Sequence, residues 1–371
     1  EVGGFRTGYE GAQDHDLTLR ISEQLEDREI IHIPKVLYHW RATTGSTAKS
    51  PDEKDYAASK ARRAVEDHLR RSSIPGDVTH TEAGYLRVKY SLPETPPRVS
   101  LIIPTRDRLD LLRMSVGSIL ENTSYPDFEV IIVDNQSQEP ETIAWCKEIA
   151  TNDPRVRILP HDKPFNFSRI NNDAVARASG EIIGLVNNDI EATDPGWLAE
   201  MVSHAIRPDV GAVGAKLYYP DGSIQHAGVI LGFGGVAGHV YCSKPKDHAG
   251  QMGRAMLVQN MSAVTAACLV VRKEAYLAVG GMNEDLRVAF NDIDFCLRLL
   301  KAGYRNVWTP HAELIHHESA SRGLEDTMEK QRRFASESQL MKAIWGEMLN
   351  RDPAYNTNLS LSLEPFTLHR V

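Results

Sequence analysis

From residue 99 onward, apolar and polar positions follow a repeating strand–helix rhythm. Residues 99–103, Val-Ser-Leu-Ile-Ile, form a short apolar run closed by Pro104, the pattern of a buried strand. Residues 109–121 carry apolar side chains at helical spacing, so a helix follows. Residues 129–133 give the next strand, ending at Asp134, and residues 140–150 the next helix. A strand over 156–159, a helix over 168–179 stopped by Gly180, and a strand over 181–186 complete the series. The last strand runs into Asn187, Asn188 and Asp189. This alternation predicts an α/β fold, with a mostly parallel, Rossmann-like central sheet covered by helices on both faces. Ligands of such folds bind beyond the carboxyl ends of the strands. Pro104 with Thr105, Asp134 and Asp189 therefore converge on one edge.

The chain also repeats itself. Val2-Gly3-Gly4-Phe5 and the stretch from Ala12 to Arg20 return as Val279-Gly280-Gly281-Met282 and the stretch from Phe290 to Arg298. Asp14 matches Asp292, Asp16 matches Asp294 and Arg20 matches Arg298, an offset of 292 − 14 = 278, which is a domain length. His39 echoes His316. Residues 1–48 are thus expected to be the C-terminal remnant of a preceding, similar domain, and the chain a piece of a longer protein. Residues 53–72 are polar and rich in Ala, Lys and Arg, which predicts an exposed connecting helix. Residues 85–92 alternate like a strand, and Pro93, Pro96 and Pro97 make a stiff break. Residues 49–98 form the connection, and 99–371 a complete domain.

Composition narrows the function. The 371 residues carry a net charge of −8 without a long basic stripe, which disfavours nucleic acid as a partner. Cys146, Cys242, Cys268 and Cys296 are scattered, as expected of buried thiols in a reducing compartment. No signal peptide is visible. The longest uncharged stretch, near residues 228–242, is too short and glycine-rich to span a bilayer. These features predict a cytoplasmic protein.

Several motifs now line up in order: residues 99–105, Val133-Asp134-Asn135, Phe165-Asn166-Phe167-Ser168 with Asn171-Asn172, Val186-Asn187-Asn188-Asp189, residues 222–228 with Gln225-His226-Ala227-Gly228, and residues 290–295. His316-His317-Glu318-Ser319, Ser321-Arg322-Gly323, Asp352-Pro353 and Tyr355-Asn356 follow. As an ordered set they resemble the inverting glycosyltransferases of family 2, of GT-A fold, especially bacterial rhamnosyltransferase-like members of polysaccharide biosynthesis. The likeness covers nearly all of residues 99–371. It implies transfer of a sugar from a nucleoside-diphosphate donor (UDP, GDP or dTDP type) to a saccharide or lipid-linked saccharide acceptor in O-antigen-type synthesis. Peripheral attachment to the inner face of the membrane would come through that acceptor.

By position, the resemblance makes Asp189 a ligand of Mg2+ or Mn2+; Asn187 stands where the family's Asp-x-Asp motif begins with Asp. The bland alternative is an Asp capping the next turn. Asp292 becomes the general base that takes the acceptor hydroxyl proton, with Asn291 ahead of it in place of Glu. The alternative is a helix N-cap, a favoured use of Asp. Asp294 lies four residues before Arg298, so a helical ion pair is its expected role. His316 would complete the metal site or meet the diphosphate. Pro104, Thr105, Asp134 and Asn188 would hold the nucleotide, with Asp107 and Arg169 as further contacts. Asn166, like Asn171 and Asn172, would bond the nucleoside or cap a helix. Arg322 would clamp phosphate or lie solvated. Trp197, Trp308 and Trp345 would stack on sugar or fill the core. Two other readings stand beside this one. A non-catalytic nucleotide-sugar or carbohydrate module is allowed by Asn at 187 and 291. A nucleotidyltransferase should show a glycine-rich phosphate loop near the first strand, and none is evident.

Overall fold

A computed structural model of the chain describes residues 2–39, 55–317, 327–362 and 364–368. It divides into two compact units, Glu1–Ser91 and Leu92–Val371. The boundary falls just before Pro93, where the sequence places its stiff break.

In the first unit, α1 (Gln13–Ser22) and α2 (Asp55–Arg71) accompany a hairpin of β1 (Gly76–His80) and β2 (Leu86–Tyr90). The helix expected over 53–72 is present across its described residues, but it is not simply exposed. Ala64, Val65 and Leu69 are buried, and the last two pack with Val78 of β1. Asp16 accepts from Arg6 and Arg20, and Arg20 also donates to the carbonyls of Val2 and Gly4.

The second unit is built on a ten-stranded sheet. Its strands are β3 (Val99–Thr105), β4 (Phe128–Asp134), β5 (Val156–Pro160), β6 (Ile182–Val186), β7 (Ile190–Ala192), β8 (Val210–Tyr218) and β9 (Ile224–His226). After a separate small hairpin, β10 (Val229–Leu231) and β11 (Ala237–His239), come β12 (Gln259–Met261), β13 (Cys268–Arg272) and β14 (Arg305–His316). The order along the sheet is β12-β14-β8-β13-β6-β3-β4-β5. β3 to β6 are mutually parallel, and β8 and β14 run with them; β7, β9, β12 and β13 run the other way. The helices are α3 (Leu109–Glu121), α4 (Pro140–Asn152), α5 (Phe167–Val175), α6 (Trp197–Ala205), α7 (Lys273–Ala278), α8 (Asn291–Lys301) and α9 (Met328–Asn350).

Burial on both faces explains the continuous apolar runs. Leu101 and Ile103 join one core with α3 and α6, whereas Ile102 joins the other with α5, α8 and α9. Pro104 does not end its strand: β3 continues to Thr105, opposite Asp134. The Thr105 carbonyl accepts from Asn135 on the β4 side, so Pro104 faces β6, where pairing has already stopped at Ile102. Its missing N–H costs nothing there. The helix expected over 168–179 stops at Val175 instead. Ser179 and Gly180 are bound to Glu129 and Ser100, and a Cβ on Gly180 would sit 2.6 Å from the Ser100 nitrogen. Tertiary packing, not local propensity, sets that end. Of the four cysteines, all free, Cys242 is exposed, contrary to the expected burial.

Candidate active site

The carboxyl ends of β3, β4, β6 and β14 bring Thr105, Asp134, Asn187 to Asp189, and His316 to one edge. Asp189 Oδ1 lies 3.1 Å from His316 Nε2, and both side chains are buried. His316 Nδ1 lies 2.9 Å from Gln225 Oε1. The pair is fixed by backbone as well, since His317 N donates to the Asp189 carbonyl at 2.9 Å. No group of three or more His, Cys, Asp or Glu arranged to hold a metal is present among the described residues. A cation here would have one carboxylate and one imidazole from the protein.

Asp292 stands in the first turn of α8, not at its N-cap; Phe290, with φ of 60°, occupies the cap. Asp292 Oδ1 accepts from Ile293 N at 2.9 Å and Oδ2 from Ala266 N at 3.1 Å. The next residue, Ala267, accepts from Asn187 N at 2.9 Å. The Asp292 carboxylate and the loop bearing Asp189 are therefore hung on two consecutive residues, although 103 positions separate them (292 − 189). Asp294 does form its ion pair, with Arg298 Nε at 2.8 Å. Arg298 also donates to the carbonyls of Val279 and Gly281, at 2.6 and 2.5 Å. This is the arrangement of Asp16, Arg20, Val2 and Gly4 over again, so the repeat in sequence is a repeat in hydrogen bonding.

Residues 100–278 match the model of glycosyl transferase family 2. The chain carries a family 2 glycosyltransferase domain. It is 55% identical over 372 aligned positions to the Sinorhizobium fredii protein y4gI, covering 99% of this chain and 41% of that one. It is 41% identical to the O-antigen biosynthesis protein RfbC of Myxococcus xanthus, covering 100% of this chain and 28% of RfbC. The chain thus spans less than half the length of either relative. A mannosyltransferase of Pyrobaculum calidifontis, solved with GDP-Man and Mn2+, aligns with a TM-score of 0.51 at 18% identity, over 80% of this chain and 79% of that one. The fold is GT-A.

Within the glycosyltransferase domain, the expected donor contacts divide. Thr105 Oγ1 accepts from Asn188 Nδ2 at 3.2 Å, joining two strand ends at the site. Asp107 and Asp134 lace the turn before α4. Asp107 Oδ1 accepts from Gln138 N and Glu139 N, and Asp134 Oδ1 from Ser137 N. Asn166 is the N-cap of α5, its oxygen accepting from Arg169 N and its amide donating to the Glu284 carbonyl. Asn172 holds Met282 through both backbone groups, Ser168 holds Leu286, and Arg169 pairs with Glu284. That pairing keeps the Glu284 carboxyl below its ordinary range. The asparagine-rich motif is thus a fastener between α5 and the loop that leads to Asp292. Arg322 lies outside the described residues.

Two features escaped the sequence, Glu337 and a cavity, while the tryptophans take the core role weighed for them. Glu337 of α9 is 4% exposed and accepts from three successive amides ahead of Asp292: Arg287 at 2.8 Å, Val288 at 3.0 Å and Ala289 at 3.0 Å. Trp345 donates to Asp294, and Trp197 and Trp308 donate to Thr123 and the Ala215 carbonyl, so all three tryptophans serve the core. A cavity of about 610 Å3 opens between the β10–β11 turn and the segment after α9, lined by Phe233, Gly235, Asp352, Tyr355 and Asn356 among others. Asp352 accepts from Leu231 N and Ser262 Oγ, and burial raises its pKa above the usual range. From Ser262 it is four residues along the chain to Ala266 and the Asp292 carboxylate. No described helix is long and apolar enough to cross a membrane.

Proposed function

We propose that this chain is an inverting glycosyltransferase that moves a sugar from a nucleoside-diphosphate donor to a saccharide hydroxyl in O-antigen-type polysaccharide synthesis. The observation that carries the proposal is that Ala267 accepts from Asn187, two residues before Asp189, while Ala266 donates to the Asp292 carboxylate. A cation site and a proton acceptor then face one reaction space. Asp292 takes the hydroxyl proton while the acceptor oxygen attacks the anomeric carbon and the bond to diphosphate breaks. Its two oxygens are each oriented by a backbone N–H and keep a further lone pair for that proton.

The side chains present fit a divalent ion. His316 Nε2 and Asp189 Oδ1 face each other at 3.1 Å, a gap that a ring proton bridges without a cation and that a shared cation would bridge in its place. When bound, Mg2+ or Mn2+ supplies charge neutralisation for the departing diphosphate. An imidazole ligand favours Mn2+, because Mg2+ keeps to oxygen ligands and water. Thr105, Asn188 and Asp134 would position the nucleotide, with Pro104 and Asp107 beside them, and Arg322 would meet phosphate. We further propose that residues 2–39 belong to a second domain of the same kind, on the strength of the repeated Asp–Arg–carbonyl network. Membrane association would come through a lipid-linked acceptor.

A thermal-shift screen of UDP-, GDP- and dTDP-sugars with and without Mn2+ identifies the donor by selective stabilisation. With that donor, Asp292→Asn should lower turnover by about two to four orders of magnitude while donor binding holds. Unchanged turnover removes Asp292 as base. Binding without turnover in the unaltered protein, across acceptors and metals, favours the non-catalytic module that Asn187 and Asn291 allow.

A further inference from the structure

The Gln225-His226-Ala227-Gly228 motif has no part in the chemistry described so far. Its first residue is placed by an irregularity in the sheet. In the β8–β9 ladder Leu217 pairs with His226 and Tyr218 with Ile224, so Gln225 is the extra residue of a bulge. A bulge frees one residue from the ladder and re-aims its side chain, a common device beside active sites. Both freed groups have been given partners. The Gln225 backbone carbonyl lies 3.1 Å from His239 Nδ1 of β11. The side chain turns to His316, with Oε1 2.9 Å from Nδ1. Gln225 is 2% exposed and His316 7%, so water does not compete for this bond.

An amide oxygen can only accept, so with Oε1 turned to the ring it is His316 Nδ1–H that meets Gln225. On the other side Nε2 faces Asp189 Oδ1 at 3.1 Å, a gap that a second ring proton or a cation bridges. We propose that Gln225 is a positioning residue of the metal site. It holds His316 in the Nδ1–H tautomer and in the ring plane that presents Nε2, beside Asp189, to a divalent cation. This rests on the cation reading above and deepens it. Partners of this kind on the far nitrogen of a histidine ligand typically carry a 10–100-fold share of metal affinity.

The test needs no donor or acceptor. Mn2+ alone is titrated into the full chain and the free ion followed by electron paramagnetic resonance, for the unaltered protein, Gln225→Leu, Gln225→Glu and Asp189→Asn. Gln225→Leu keeps the bulk and removes the acceptor; it should weaken Mn2+ by about 10–100-fold. Gln225→Glu restores an acceptor and should return affinity to within a few-fold of the original. In parallel, the nitrogen shifts of His316 in the unaltered protein should report the Nδ1–H form, a measurement independent of how any variant folds. Mn2+ binding lost in Asp189→Asn but unchanged in Gln225→Leu overturns the role of Gln225, and so does an Nε2–H tautomer in the metal-free protein. If Asp189→Asn binds Mn2+ as well as the unaltered protein, the cation reading itself fails, while the tautomer still decides what Gln225 does.

Discussion

Replacing Glu337 by Gln probes how the loop ahead of Asp292, the proposed base, is held. The carboxylate takes three amide hydrogens, two on Oε1 and one on Oε2. A glutamine can keep its oxygen toward Arg287 and Val288, but its NH2 group then confronts the Ala289 N–H, donor against donor. One buried unsatisfied amide costs about 1–3 kcal/mol, and the other two bonds each lose about 1 kcal/mol of charge assistance. Relief from burying a charge offsets part of this. A net loss of about 2–4 kcal/mol is expected, or a fall in Tm of roughly 4–15 °C for a unit of this size. Urea unfolding measures the total. Native-state hydrogen exchange locates it: about 2 kcal/mol of easier local opening speeds exchange at residues 287–289 roughly 30-fold. Turnover should fall with it, with donor binding little changed, because the loop enters the helix that carries Asp292. A variant within ~0.5 kcal/mol of the original, with unaltered exchange at those three amides, refutes the reasoning.

Two further outcomes follow from packing and burial. Gly214→Ala places a methyl 2.5 Å from the Val264 Cβ, which cannot swing aside, so urea unfolding should show a loss of about 1–3 kcal/mol; a neutral effect would mean that β8 and residues 262–266 are not in contact. His226 is fully buried beside His239 and His316, and desolvation holds its pKa well below the ordinary 6.5. The unfolded chain therefore binds a proton that the native state refuses, so stability should fall as pH drops below about 6.5. His226→Gln should flatten that slope by up to about 1.4 kcal/mol per pH unit, and an unchanged slope from pH 7 to 5 would count against the burial.

The parts of the fold legible in the sequence are those whose burial is uniform. β3, β4 and β6 are covered on both faces, so they are mainly apolar, with Ser100 and Glu129 the polar interruptions, and their carboxyl ends, with Thr105, Asp134 and Asp189, are recognisable in the sequence. Asp292 was legible as the start of a helix, and its ion-paired neighbour Asp294 by the spacing to Arg298. The region from β9 to β11 was not, because strands of three residues separated by glycines have no periodicity to detect. Asparagines 166 and 172 looked equally suited to ligand or backbone. Their use is decided by what faces them more than 100 positions away, at Met282 and Glu284. Glu337 had no signal at all. On a long charged helix a glutamate reads as solvated, and only the fold shows it facing three amides about 50 positions earlier.

That Ala266 and Ala267 tie the Asp292 carboxylate and the segment leading to Asp189 to one stretch of main chain has an evolutionary corollary. Both contacts are made by main-chain atoms, an N–H to Asp292 and a carbonyl to Asn187. The offset between the Asp292 carboxylate and the Asn187 backbone is thereby set by main-chain atoms, which side-chain replacement at 266 or 267 leaves in place unless proline removes the N–H at 266. Surrounding pocket walls can drift toward new sugars while that interval stays constant. A one-residue slip of β13 against β6 would change it, and would carry every core side chain of that strand to the wrong face.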